Sequence, residues 1–131
     1  MKSKNPDNIN PNYKRGKSLE NDFKFKEALN KYLIASKEGS SDAEYRIGLF
    51  YENGLGVAFD IKSSIKWYER AARKNHPMAL YTLGIIYANG NYVKKDTRKA
   101  YKLFSLSKKY SKKNSFVDLN SSFNRPLIFR K

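Results

Sequence analysis

The residues able to carry chemistry are few and scattered. The single histidine, His76, stands before Pro77 with no second metal ligand or base partner beside it, and reads as a helix cap or packing residue. Cysteine is absent, which removes a thiol nucleophile, a disulfide framework and cysteine metal sites together. Gly54-Leu55-Gly56 is a glycine loop, but the Gly-Lys-Ser/Thr of a phosphate cradle does not follow it. The carboxylates form no pair at helix spacing with apolar shielding, and no hydroxyl nucleophile has a base partner. This inventory points away from an enzyme, with no cofactor and no metal. What remains is recognition chemistry: ten tyrosines, asparagines at recurring positions, and 27 Lys and Arg against 12 Asp and Glu. Tyrosine joins apolar area to a polar tip, asparagine can pair with peptide groups, and excess cations attract acidic partners.

The net charge of +15 is unevenly spread. Residues 94–131 hold 12 basic and 2 acidic residues. Lys94, Lys95, Arg98, Lys99, Lys102, Lys108, Lys109, Lys112 and Lys113 form a candidate basic patch for nucleic acid or an anionic surface. A solvated face explains the same residues without a ligand.

The elements that must position these groups follow from a repeat. A shift of 36 residues carries Ala43 to Ala79, Tyr45 to Tyr81, Gly48 to Gly84, Tyr51 to Tyr87, Asn53 to Asn89, Gly54 to Gly90 and Asp60 to Asp96. A fixed period of this size means stacked helical hairpins. Ala28, Tyr32 and Ala35, at spacings of 4 and 3, give a helix face from about Phe23 to Lys37, with Asp22 as its cap and Gly39 as its end. Ser41-Asp42-Ala43-Glu44 reads as a capping box opening the next helix. Gly48 allows a second helix close, and Gly54 and Gly56 serve a loop that needs positive φ. Asp60 and Asp96 cap the helices that follow, and Pro77 opens a first turn. In the last helix Ala100, Tyr101, Leu103, Phe104 and Ser107 are expected inward.

These residues resemble the Sel-1-like repeat family, a relative of the tetratricopeptide repeat. The pattern is met at Ala43, Tyr45, Gly48, Tyr51, Gly54, Gly56, Val57, Asp60, Trp67, Tyr68, Ala71 and Ala72. It returns at Ala79, Tyr81, Leu83, Gly84, Tyr87, Gly90, Val93, Asp96, Lys99 and Ala100, with Tyr92 and Leu103-Phe104 as departures. The resemblance implies an all-α, right-handed superhelical solenoid of about three antiparallel helix-turn-helix repeats with a C-terminal capping helix. Its parts are a flexible segment 1–9, repeats at about 10–40, 41–76 and 77–112, a partial fourth helix 113–123 and a basic apolar tail 124–131. It further implies a non-catalytic scaffold that seats a protein or peptide, acidic ones included, in a concave groove lined by first helices. By analogy with that groove the candidate residues are Tyr13, Lys17, Tyr45, Leu49, Glu52, Asn53, Tyr81, Ile85 and Asn89. Exposed end faces of a short array would also admit a second copy. No apolar run approaches the roughly 18 residues of a membrane-spanning helix, and no apolar region follows the basic N-terminus, so the expected location is cytoplasmic.

Overall fold

Proline at the first helical position and Asn10 before it start the first helix. The Asn10 side chain accepts from the Tyr13 amide at 3.0 Å. A computed structural model describes residues 9–114. Within them are six helices and no strand: α1 Pro11–Asn21, α2 Phe25–Lys37, α3 Ser41–Asn53, α4 Ile61–Arg73, α5 Pro77–Asn89 and α6 Thr97–Asn114. The fold is an all-α helical repeat. The described part of the partial fourth helix is confined to the end of α6. Residues 115–123, the tail and the first eight residues lie outside the described range. The chain divides into two compact units, Met1–Trp67 and Tyr68–Lys131.

In the first unit α1 packs on α2 and α2 on α3. Its core gathers Leu19, Ala28, Leu29, Tyr32, Ala35, Ala43, Ile47 and Phe50. Tyr32, Ile47 and Phe50 are fully buried, worth about 1.5–3 kcal/mol for each large apolar side chain. Close approach is bought with small residues. A Cβ on Gly16 would lie 2.6 Å from the Tyr32 ring, and the Ser64 hydroxyl donates to the Gly48 carbonyl at 2.8 Å. In the second unit α5 packs on α6 in the same manner, with a Gly84 Cβ falling 2.6 Å from the Phe104 ring. The Ser107 hydroxyl donates to the Pro77 carbonyl at 2.9 Å.

The loops repeat as the 36-residue register requires. Gly54 and Gly90 end α3 and α5 in the left-handed region. The Asp60 amide then donates to the Tyr51 carbonyl at 3.0 Å, and the Asp96 amide to Tyr87 at 2.9 Å. Each aspartate also caps its helix, accepting from Ser63 at 3.2 Å and from Lys99 at 3.0 Å. His76 caps α5, its Nδ1 accepting from the Ala79 amide at 3.2 Å.

Three details differ from the sequence reading. Asp22 closes α1 instead of opening α2, because the Phe23 and Lys24 amides fold back to the Glu20 and Leu19 carbonyls, and α2 starts only at Phe25. Phe23 takes φ 63°, the left-handed position that glycine usually fills, with its ring 78% exposed. The cap of α3 is Ser40, which accepts from the Ala43 amide, and not Ser41. Gly39 at φ 96° turns the chain so that the Ser40 amide closes on Ala35 and Ser40 is left extended. Tyr101 is 73% exposed, not inward. The buried line Ala100, Ser107 and Ser111 follows one side of α6, and Tyr101 falls about 100° round the helix from Ala100.

Candidate functional site

Helix α1 presents Tyr13, Lys17 and Glu20 at spacings of 4 and 3, one side of the helix. The first turn of α3 brings Asp42 and Arg46, also four apart, and α2 sends Tyr32 between them from below. The groups meet at Glu20. The Arg46 Nη2 donates to its Oε2 at 2.7 Å and Nε to its Oε1 at 3.4 Å, while the Tyr32 hydroxyl donates to Oε1 at 2.6 Å. The ion-paired side chains keep 21% and 18% of their surface open, so the pair sits at a wet edge of the core. The Tyr13 ring leans on Tyr32, centroids 5.8 Å apart.

The electrostatics follow from that half-burial. Burial raises the Tyr13 phenol to about 12, assisted by the negative charge of Asp42. Burial and then the hydroxyl's bond to Glu20 push Tyr32 up as well. Burial works against the Arg46 charge, but the Glu20 carboxylate outweighs it and the guanidinium pKa is raised. Lys17 is held below the ordinary lysine value, by burial first and by the neighbouring Arg46 charge second. Lys17 of α1 and Arg46 of α3 therefore share one patch with the carboxylates of Glu20 and Asp42 and with a phenol that stays protonated. This arrangement suits a carboxylate or a polar main chain; it holds no general base poised for catalysis. No group of metal-ligating residues is assembled among the described residues.

The residues read from the sequence fall differently. Tyr13 and Lys17 lie in this patch, half-buried. Tyr45 and Leu49 are only 4% and 7% exposed, so they present little surface. Glu52 is half-buried. Asn53 is exposed, and its amide donates to the Leu49 carbonyl at 2.9 Å, closing its own helix. In the second unit Tyr81 and Ile85 are half-buried and Asn89 exposed. The Tyr81 ring stands 5.6 Å from Phe104, and burial raises its pKa. Glu20, Tyr32, Asp42 and Arg46 were not named as site residues from the sequence, where Tyr32 was read as part of a helix face and Asp42 as part of a capping box. The signal available was the 4 and 3 spacing of Tyr13, Lys17 and Glu20. Of the basic patch, Lys94, Lys95, Arg98, Lys99, Lys102, Lys108 and Lys109 are exposed, and the Lys112 and Lys113 side chains lie outside the described range.

Comparison with known proteins bears on these features. The Sel1 repeat model matches residues 41–76 and 77–109. A Sel1 repeat protein from Oxalobacter formigenes is 30% identical with a TM-score of 0.71, over 82% of this chain and 47% of its own. A protective antigen present in uropathogenic Escherichia coli strains, displaying an SLR fold, is 37% identical with a TM-score of 0.62, over 66% of this chain and 19% of its own. The chain thus spans about half the length of the first and a fifth of the second. No curated protein matches it.

Proposed function

From the premise that the chain belongs to the Sel1 repeat family, whose repeats generally mediate protein–protein interaction, we propose that it is a non-enzymatic adaptor that seats a protein segment against its first helices. The observation that carries the reading is the Tyr13–Lys17–Glu20–Arg46 patch. Tyrosine and arginine are the residues most enriched among strong interface contacts, and here both are already held in place. The Glu20 pair and the packing of Tyr13 on Tyr32 fix those side chains before a partner arrives, which lowers the ordering cost of binding. A partner carboxylate set against Lys17 offsets the burial of its charge, which Glu20 and Asp42 compensate only in part. The favoured segment therefore carries an acidic residue beside an apolar one that meets Tyr13.

Selection of random displayed peptides on the immobilised full chain tests this. Acidic–apolar sequences are expected, with roughly tenfold weaker binding to Lys17→Gln, a change that leaves the Glu20–Arg46 pair intact. Peptides that bind Lys17→Gln and Tyr13→Ala as tightly as the unaltered chain would place recognition elsewhere.

A further inference from the structure

Helix α6 contains seven basic residues and no acidic one. Its inner side is marked by Ala100, Ser107 and Ser111, all buried. At about 100° per residue, Arg98, Lys102 and Lys109 lie within roughly 40° of one line on the opposite side, spread over about 16 Å of helix. All three are exposed. Lys99 is turned away to the Tyr87 ring, its Nζ 4.2 Å from the centroid.

Helix stability does not account for this line. Lys102 and Lys109 lie too far from either end of α6 for the helix dipole to favour them, and Arg98 stands in the first turn, where a cation is unfavourable and an acid would help. Arg98 and Lys102 are like charges four apart, which is also unfavourable. The described residues of this unit offer two carboxylates, Glu69 and Asp96, and Asp96 is engaged on the Lys99 amide. The line therefore suits an external polyanion.

The neighbouring side chains say which kind. Tyr101 is 73% exposed on the flank of the line and has Lys108 two turns along on the same side. Tyr92, ahead of Lys94 and Lys95, is 51% exposed. Flat rings beside spaced cations match nucleobases beside phosphates. A bilayer would require an apolar stripe to insert, and Ser105 occupies the middle of this line, with only Leu106, 38% exposed, at its margin. We propose that the outer face of α6 binds single-stranded nucleic acid, with Arg98, Lys102 and Lys109 on successive phosphates and Tyr101 stacked on a base. It shares no residue with the α1–α3 patch, and its failure leaves the adaptor reading untouched.

The test is fluorescence anisotropy of the full chain with labelled 20-nucleotide oligo-U and oligo-dT between 50 and 200 mM salt. Three phosphate contacts predict a slope of about −2 in log affinity against log salt, hence roughly 20-fold weaker binding across that range. Changing Arg98, Lys102 and Lys109 together to Glu should abolish binding, Tyr101→Ala should weaken it about tenfold, and Tyr101→Phe should restore it. Thermal melting should not fall in any of them, since the four side chains are exposed and an acid at position 98 suits the first turn of α6. Two competitors separate the other polyanions. Phosphatidylserine vesicles or poly-glutamate that displace the oligonucleotide at equal charge would overturn the proposal, as would a Tyr101→Ala chain that binds like the original.

Discussion

Gly16→Ala sets two known effects against each other. Alanine in a helix interior is favoured over glycine by about 1 kcal/mol. Against that, the new Cβ would lie 2.6 and 2.7 Å from two ring atoms of Tyr32, well inside contact distance. Forcing a methyl group into a packed core costs roughly 1–3 kcal/mol, and the cost depends on how easily the neighbour moves. Tyr32 does not move easily. It is fully buried, its hydroxyl is held by Glu20 at 2.6 Å, and Phe50 stands edge-on at 5.5 Å. The high end of the range applies, for a net loss of about 1–2 kcal/mol, or roughly 5–15 °C in melting temperature. Gly84→Ala meets Phe104 at the same 2.6 Å, but that ring is half-buried and has no hydroxyl tether, so its net change should be near zero. Urea denaturation followed by helical circular dichroism reads both. The Tyr32→Phe background supplies a cycle: with the tether gone, Gly16→Ala should cost about half as much. If Gly16→Ala stabilises the chain by the full propensity gain, or costs the same in both backgrounds, the pinned-ring argument fails.

Two further outcomes follow from the same geometry. Phe23→Asn should raise stability by about 1 kcal/mol in the same urea assay, because the left-handed conformation strains a phenylalanine and the 78% exposed ring buries little; a loss would mean the ring has a packing role. Stability should also fall between pH about 10 and 12. Native Tyr13 keeps its proton up to about 12 while an unfolded tyrosine ionises near 10, so its contribution is complete below pH ~10 and lost above it, at most about 3 kcal/mol. Tyr32, also raised, acts in the same direction. Lys17, lowered in the fold, has the opposite sign and gives a slight rise just below its unfolded value of ~10.4. Phenolate absorbance and urea midpoints measured together check this, and Tyr13→Phe should remove part of the alkaline loss.

Most of the architecture was legible because it is periodic. The positive φ of Gly54 and Gly56, the caps at Asp60, His76 and Asp96, and the close approach at Gly48 all follow from residues whose role is fixed locally. The Tyr13–Lys17–Glu20–Arg46 patch was harder to see, because periodicity draws attention to positions that recur. Tyr45 recurs at Tyr81 and is buried, whereas Arg46 is followed 36 residues later by Thr82. Identity at the repeat offset marks packing, turns and caps, and the Glu20–Arg46 ion pair draws on a position where the repeats differ. The one-residue error at Ser40 and Ser41 had another cause: two identical side chains compete for one cap, and only the backbone turn at Gly39 decides between them.

The Asp60–Tyr51 and Asp96–Tyr87 bonds each join residues nine apart. Closing a chain segment of about ten residues takes on the order of 10–100 ns. Synthesis at ~5–20 residues per second delivers a 36-residue repeat only in seconds. On the ribosome, each such loop can therefore close many times over before the next hairpin has emerged. The growing chain therefore exposes the apolar face of one hairpin at a time.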